Sequence, residues 1–435
     1  MSEGSTIKSE GLFQEWTILA ILATVQFTSI VDFMVIMPLG PQLERMMGLD
    51  PSRFGLVVSS YTLAAGLAGF FASAFLDRFA RRPAFLVLYS GFLAGTLACG
   101  LADSYGTLLA ARFVAGCFGG ILGGMSMAII GDVFPENRRG SATGVLMSAF
   151  ALASVFGVPV GLKLGLRYDW HAPFLVLSIL GLPILFLAAT VLPRLDGHLH
   201  HRGGESSAAT MLETFTHPNH LRAFGLTITM MFGSFSIVPF LSPYLVSNVG
   251  LKEDDLPNVY VVGGILTLVG APLIGRLADR FGKLRIYRTI APLAALMMLI
   301  LTNLPPVSVF VAVACFGSMM LCNAGRMIPA MAMITSSVEP KRRGGFQGAN
   351  SAIQHLASGI GAAIGGWILT KNVDGALVGY PTVGMIGAGF TVLSLWFAGR
   401  LRVADSDTTI STAEAIGATE MAMDADEPVP RIESI

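Results

Sequence analysis

Long apolar segments recur along the whole chain, and they constrain its fold more than any other feature. A helix needs about 20 apolar residues to cross a bilayer core about 30 Å thick. Segments of this kind lie at 16–39, 54–76, 83–101, 107–131, 142–165, 173–193, 221–246, 258–278, 285–304, 307–334, 346–370 and 379–399. The sequence therefore predicts an all-α integral membrane protein with twelve transmembrane helices.

The composition agrees with a lipid bilayer as the environment of the chain. Hydrophobic residues make up 53% of the sequence and charged residues 13%, against about 25% charged residues in a typical soluble domain. Twenty-eight Lys and Arg balance 28 Asp and Glu, so no basic surface for nucleic acid is expected.

Lysines and arginines gather on one side of the predicted spans. Sixteen lie in connections that follow an even-numbered span, and six in connections that follow an odd-numbered span. Because cytoplasmic loops carry the excess of Lys and Arg, both termini are predicted to be cytoplasmic. Residues 1–15 lack the pattern of a cleavable signal sequence. We expect a multi-pass protein of a bacterial inner membrane.

The predicted organisation has five parts. Two six-helix bundles occupy residues 16–193 and 221–400, and a cytoplasmic linker, 194–220, joins them. The N-terminal tail is 1–15. The C-terminal tail, 401–435, is rich in acidic residues and is expected to be disordered.

The two bundles repeat each other in sequence. An Asp-Arg pair follows the second span and recurs 202 residues later, and an Arg-Arg-Gly triplet follows the fourth span and recurs 204 residues later. Phe33 and Pro41 in the first span match Phe235 and Pro243 in the seventh. Related halves with a binding site between them at the midplane are typical of transporters.

Three motifs make the chain resemble the major facilitator superfamily over about residues 15–400. They are Asp77-Arg78-Phe79-Ala80-Arg81-Arg82 after the second span, Arg112-Phe-Val-Ala-Gly116 in the fourth, and Gly157-Val158-Pro159-Val160-Gly161 in the fifth. The third is similar to the antiporter motif of that family, with Val158 where glycine usually precedes the proline. The resemblance implies two pseudo-symmetric bundles, alternating access and the drug/proton antiporter branch.

The charged turns after the second and eighth spans are candidates for a cytoplasmic gate. A carboxylate at a helix end can pair with arginines or accept hydrogen bonds from a neighbouring helix N-terminus. Such contacts would hold the inner side closed and break when it opens. The alternative is a tight charged turn that only enforces topology. The predicted gate residues are Asp77, Arg78, Arg81, Arg82, Asp279 and Arg280.

Asp32 and Arg112 are the candidate proton-coupling pair. Asp32 is the only acidic residue well inside a predicted span, and a charge at that depth is costly. At a rise of about 1.5 Å per residue, both lie at similar depth in the outer half of the first bundle. Burial favours the neutral acid and Arg112 favours the carboxylate, so Asp32 can change its protonation when its exposure changes. The repeat places Ser234 against Asp32, which favours coupling over a purely structural partnership with Arg112.

Five further polar or adaptable side chains are candidates for the substrate cavity. Arg326 could bind an anionic group of a substrate, and His355 could share a proton with it; a satisfied interior polar pair is the alternative. The other three are Gln26, Met34 and Gln354.

No cofactor or metal is expected. The glycine clusters at 119–124 and 359–366 lie inside apolar spans and lack a phosphate-binding motif, so close helix packing explains them better. The histidines of the central connection have no fixed ligand spacing, and the four cysteines have no zinc-ligand spacing.

These features together predict a secondary transporter and not an enzyme. The expected function is proton-coupled export of a small organic molecule or drug by a monomer. The alternative is a proton-coupled symporter that takes up an organic anion or a sugar. A third class, a non-transporting sensor, would need a cytoplasmic domain, and the sequence has no segment that resembles one.

Overall fold

The protein consists almost entirely of membrane-length helices. The computed structural model describes residues 3–75, 78–193, 195–196, 213–339 and 342–404. Eleven of the described helices are long and apolar enough to cross a membrane, and they coincide with eleven predicted spans. At the remaining position, predicted at 346–370, the helix Arg343–Ile368 has 26 residues but is richer in polar side chains. The predicted all-α membrane fold is confirmed.

Eight helices form the N-terminal half. They are α1 (Glu3–Val35), α2 (Gly40–Met47), α3 (Pro51–Phe75), α4 (Arg81–Gly100), α5 (Tyr105–Val133), α6 (Glu136–Leu152), α7 (Val158–Arg167) and α8 (Ala172–Val191). The helix α1 begins before the predicted first span, so residues expected to form a tail continue its helix. A single π turn, Ala153–Gly157, joins α6 to α7.

Seven helices form the C-terminal half. They are α9 (Pro218–Phe235), α10 (Leu241–Ser247), α11 (Leu256–Phe281), α12 (Lys283–Thr302), α13 (Val309–Ser336), α14 (Arg343–Ile368) and α15 (Tyr380–Arg400). Two 3-10 turns, Val238–Phe240 and Glu253–Asp255, precede α10 and α11. A two-stranded antiparallel hairpin, β1 (Thr370–Lys371) and β2 (Leu377–Val378), connects α14 to α15.

The internal repeat is visible in hydrogen bonds as well as in sequence. Arg139 Nε donates to the carbonyl of Phe134 at 2.8 Å, and Arg343 Nε donates to the carbonyl of Val338 at 3.2 Å. Both arginines thus bind the carbonyl five residues earlier, at positions 204 residues apart. The α5–α6 and α13–α14 corners are therefore built in the same way.

The bundle has two ends. The connections α3–α4, α5–α6, α11–α12 and α13–α14 lie at one end, together with residue 404, whose amide bonds Ser336 at the end of α13. We call this end the linker face. The opposite end, which carries the connections α2–α3, α4–α5, α7–α8 and the β1–β2 hairpin, is called the far face.

The first helix of each half is broken near the far face. The helix α1 ends at Val35 and α2 starts at Gly40, while α9 ends at Phe235 and a 3-10 turn precedes α10. The sequence predicts continuous spans over both breaks. Since the apolar residues run on through each break, hydropathy gives no sign of it.

The two halves pack together at the far face and have separate cores towards the linker face. One buried apolar cluster draws residues from both halves, including Phe54, Trp170, Phe240 and Leu369. A second cluster contains only residues of the N-terminal half, and a third only residues of the C-terminal half. The largest shared core therefore lies towards the far face, while α3 and α14 also contact each other nearer the linker face, where a Cβ on Gly66 would overlap Leu356 and Ala352.

Glycines bring the helices of neighbouring layers close together. A Cβ on Gly120 would overlap Ala65 in α3, and one on Gly365 would overlap the carbonyl of Ser236. The predicted close packing is thus seen in both glycine clusters. Gly124 differs, because a Cβ there would meet nothing within 4 Å.

Candidate functional site

Asp32 and Arg112 form an ion pair that is completely buried. Arg112 Nη1 donates to Asp32 Oδ2 at 2.9 Å and to the backbone carbonyl of Asp32 at 3.2 Å. Both side chains have 0% exposure. A buried charge that loses its partner is strongly destabilising, so the two residues depend on each other.

The local structure explains why these side chains meet. Asp32 lies three residues before the end of α1, and Arg112 lies seven residues into α5, which is about 10 Å from its first residue. Both are therefore near the far face, at the depth that the sequence predicts. Gly116, one turn beyond Arg112, lets α5 approach α3.

Tyr61 of α3 completes the surroundings of the guanidinium. Arg112 Cζ lies 4.4 Å from the centroid of the Tyr61 ring, within the range of a cation–π interaction. Tyr61 is 3% exposed. The arginine is thus held between a carboxylate and an aromatic ring.

Part of the hydrogen-bonding capacity of the pair is unused. Asp32 Oδ1, Arg112 Nε and Arg112 Nη2 are buried and have no hydrogen-bond partner among the described residues. Thr96 of α4 lies close enough to interact with the Asp32 carboxyl, although the geometry falls short of a full hydrogen bond. A buried pair joined through a single guanidinium nitrogen is less firmly held than a bidentate one.

Arg326 is the second buried arginine, and its partners are neutral. It donates to Asn323 Oδ1 at 2.8 and 3.0 Å, to Thr391 Oγ1 at 2.7 Å and to Ser234 Oγ at 2.6 Å. Ser234 is the residue that the repeat places against Asp32. Asp32 and Ser234 thus occupy corresponding positions, and each binds a buried arginine of its own half. The group that binds is a carboxylate in the N-terminal half and a hydroxyl in the C-terminal half.

The remaining cavity candidates do not join this cluster. No hydrogen bond recorded among the described residues links Arg326 to His355, which is half-buried on α14. Gln26 lies beside Gly123 in the N-terminal half, and its buried Oε1 has no partner among the described residues. Met34 and Gln354 are half-buried. Their role in a cavity remains a prediction.

The structure describes most of the predicted gate residues but not all of them. Asp77 lies outside the described residues, and Arg78 is exposed. Arg81 Nε forms an ion pair with Asp132 of α5 at 3.2 Å, and Arg82 donates to the carbonyl of Ala189. These contacts stay within the N-terminal half, so a gate between the halves remains a prediction.

The second copy of the charged turn is more open. Asp279 and Arg280 are exposed, and Arg280 lies over the Phe281 ring at 5.3 Å. Gly282 closes this turn with φ +93°, a conformation that favours glycine. Ala80, its counterpart in the first copy, has φ −59°, which accounts for the absence of glycine there.

The antiporter-type motif packs directly against the segment that carries Asp32. A Cβ on Gly157 would overlap Val31, and a Cβ on Gly161 would lie 2.7 Å from Val35. The π turn ends at Gly157, two residues before Pro159, which lacks a backbone N–H. The motif thus sets the contact between α7 and the end of α1.

Ion pairs between the halves close the far face. Lys371 Nζ lies 2.8 Å from Glu44 Oε2, and Arg45 pairs with Glu253 through both of its terminal nitrogens. Each pair joins α2 to an element of the C-terminal half. These pairs could not be predicted from the sequence, because their members lie 208 and 327 positions apart and share no motif.

Four other residues of the site were not predicted from the sequence. They are Tyr61, Thr96, Asn323 and Thr391, which are ordinary residue types within apolar spans. Asn323 had a detectable signal, because a polar residue three positions before a buried arginine lies on the same helix face. The other three come together only through tertiary packing.

Comparison with known proteins identifies the family. The model of the Major Facilitator Superfamily matches residues 22–225 and 223–420, which together cover most of the chain. The chain belongs to this superfamily. It is therefore a multi-pass membrane transporter and not an enzyme.

Individual relatives are distant. The inner membrane transport protein YdhP of Escherichia coli is 25% identical, with 83% of this chain and 91% of that protein covered. Multidrug resistance protein 2 of Bacillus subtilis is 21% identical, over 87% of this chain and 96% of its own length. The crystal structure of a D-xylose-proton symporter has the same fold, with a TM-score of 0.73, 16% identity and coverage of 89% and 97%.

Proposed function

We propose that this transporter exports a small organic molecule in exchange for protons, with Asp32 as the proton-carrying group. The observation that carries the proposal is the completely buried ion pair of Asp32 with Arg112. An ionisable pair buried within a membrane protein is a candidate functional site by default. The similarity to a multidrug resistance protein supports export.

The linker face is the cytoplasmic side in this proposal. Most of the lysines and arginines in the connections lie there, as expected for cytoplasmic loops. With the far face closed by ion pairs and a shared core, the described conformation corresponds to an inward-facing state. Asp32 would take up its proton when the far face opens to the outside.

Proton binding and transport are linked through Arg112. A proton on Asp32 neutralises the carboxylate and leaves the Arg112 guanidinium without its counter-charge, which raises the energy of the arrangement. A conformation that gives Arg112 other acceptors or water is then favoured. The protonated transporter returns to the inward-facing state, and there the ion pair with Arg112 forms again only after the proton is released to the cytoplasm. The substrate then binds and is carried outward by the deprotonated form, so each cycle exchanges a proton for a substrate.

Uptake of an organic anion is the second candidate, and Arg326 favours it. Its recorded partners among the described residues are a carboxamide, two hydroxyls and a backbone carbonyl. A buried guanidinium bound only by neutral groups retains its full charge, which an anionic substrate could balance.

The substitution Asp32→Asn tests the coupling. Transport driven by a pH gradient in proteoliposomes should be lost, because asparagine cannot carry a proton, while substrate exchange without a gradient continues. The control is Asp103→Asn, which removes an exposed carboxylate of the far face and should leave transport unchanged. Gradient-driven transport that persists in Asp32→Asn would refute the assignment.

The direction is determined with an uncoupler in the same experiment. Cells that express the wild-type protein are given a panel of dyes, drugs, sugars and organic acids. Export predicts more accumulation of the substrate after uncoupling, whereas proton-coupled uptake predicts less.

A further inference from the structure

Two phenylalanines related by the internal repeat meet where the halves join. Phe33 of α1 and Phe235 of α9 are 202 positions apart, and their ring centroids lie 5.9 Å from each other with a tilt of 33°. Phe33 directly follows Asp32, which binds Arg112 in the N-terminal half. Phe235 directly follows Ser234, which binds Arg326 in the C-terminal half. The backbone thus connects this aromatic contact to both buried arginines.

The contact is also connected to Arg112 through side chains. Arg112 lies over the ring of Tyr61, and Tyr61 stacks on Phe33 with centroids 5.4 Å apart and a tilt of 28°. A continuous row of side-chain contacts therefore runs from Arg112 through Tyr61 and Phe33 to Phe235 of the C-terminal half. Aromatic rings at such distances attract each other beyond the effect of their buried area.

The backbone beyond each phenylalanine can bend. The helix α1 ends two residues after Phe33, and α9 ends at Phe235 itself. Beyond these breaks lie α2 and α10, which pack on each other at the far face, where Pro243 contacts the position of Gly40. A displacement of either ring therefore acts on the segments that close the far face.

We propose that the contact of Phe33 with Phe235 transmits the protonation of Asp32 to the closure of the far face. This inference rests on the proposed function. When Asp32 is neutralised, Arg112 is held less by the carboxylate and more by the face of Tyr61. The Tyr61 and Phe33 rings shift with it, and Phe235 carries the shift to the C-terminal half. Packed interiors respond to such shifts by switching between discrete arrangements.

A second aromatic contact between the halves provides the control. Phe54 and Phe240 meet with centroids 6.0 Å apart and a tilt of 78°, in the core that both halves share. Among the described residues, neither ring has an aromatic or cation–π contact with Tyr61 or Arg112. Phe54–Phe240 should therefore stabilise closure without transmitting protonation.

The experiment is a double-mutant cycle read by hydrogen exchange of the far-face segments 36–50 and 237–256. Asp32→Asn mimics the protonated state at constant pH, and its effect on the protection factors is measured in the wild type, in Phe235→Leu and in Phe240→Leu. In the wild type we expect a change within the typical coupling range, a factor of about 5–150. In Phe235→Leu, the change in protection caused by Asp32→Asn should fall to a factor of less than about 3. Phe240→Leu should lower protection in general, but the change caused by Asp32→Asn should stay within about twofold of its wild-type value, as expected for an independent site.

Each outcome decides the matter. An unchanged factor in Phe235→Leu refutes the aromatic contact as the transmitter and leaves proton coupling intact. Equal losses in both leucine variants also refute it, because closure in general would then carry the effect. If Asp32→Asn has no effect in the wild type, this proposal is refuted, and the transport assay of Asp32→Asn shows separately whether proton coupling fails too.

Discussion

At the scale of single residues, burial of Glu44 makes closure of the far face depend on pH. Burial raises the pKa of the Glu44 carboxyl, and the ion pair with Lys371 opposes that rise without cancelling it. Opening of the far face exposes the group to water and returns its pKa to the ordinary value. The closed form thus binds the proton more tightly, and closure is favoured below the ordinary pKa and weakened as the pH rises through the raised one.

We therefore expect protection of the segment 40–47 against hydrogen exchange to increase as the pH falls towards the ordinary pKa of glutamate, after correction for the intrinsic rate. In Glu44→Gln this dependence should disappear. In Lys371→Gln it should move to higher pH, because the opposing influence is gone. Protection that decreases on acidification would contradict the assigned sign.

The central ion pair could be predicted from the sequence, but most of its neighbours could not. Asp32 and Arg112 were identifiable because charges are rare inside apolar spans. Their depths matched, and the structure joins them at 2.9 Å. The partners of Arg326 are Ser, Thr and Asn side chains. These residue types occur throughout the chain, so only the fold shows which of them bind Arg326.

At the scale of helices, apolar length located the spans but did not reveal their interruptions. The π turn Ala153–Gly157 and the breaks beyond Val35 and Phe235 lie within apolar sequence. A proline at position 159 hinted at the first. The other two also contain a proline, Pro38 and Pro239, which lacks the backbone N–H that a continuous helix needs.

Glycine positions on α5 give a prediction for helix packing. Gly116→Ala would force a methyl group into the backbone of Tyr61, so we expect a loss of about 1–3 kcal/mol in stability and a lower Tm in detergent. Gly131→Ala is the matched control on the same helix, since nothing lies within 4 Å of its Cβ, and it should be neutral or stabilising by up to about 1 kcal/mol. Equal Tm values for the two variants would contradict the packing argument.

At the scale of the whole molecule, the repeat predicted two related bundles, but the closed face was not predictable. One sequence must be compatible with both states of a transporter, so motifs cannot distinguish the state that the structure shows. The closure appears only in the shared core and in the ion pairs of Glu44 and Arg45.

Labelling of introduced cysteines tests the orientation. Val373 is fully exposed on the far face, and Val403 is 71% exposed on the linker face. A membrane-impermeant maleimide should label Val373→Cys in intact cells and Val403→Cys only after permeabilisation. The four native cysteines are buried or half-buried, so the unmodified chain serves as the background control. Labelling of Val403→Cys in intact cells would reverse the assignment.

The unequal arginines have an electrical consequence. In the N-terminal half the guanidinium and carboxylate cancel, whereas the bonds recorded for Arg326 leave a positive charge in the C-terminal half. A unit charge that crosses the entire membrane field changes in energy by about 2.3 kcal/mol per 100 mV. If the rocking of the halves carries Arg326 through part of that field, the membrane voltage acts on the conformational step itself. The turnover rate then depends on voltage even when the proton concentrations on the two sides are equal.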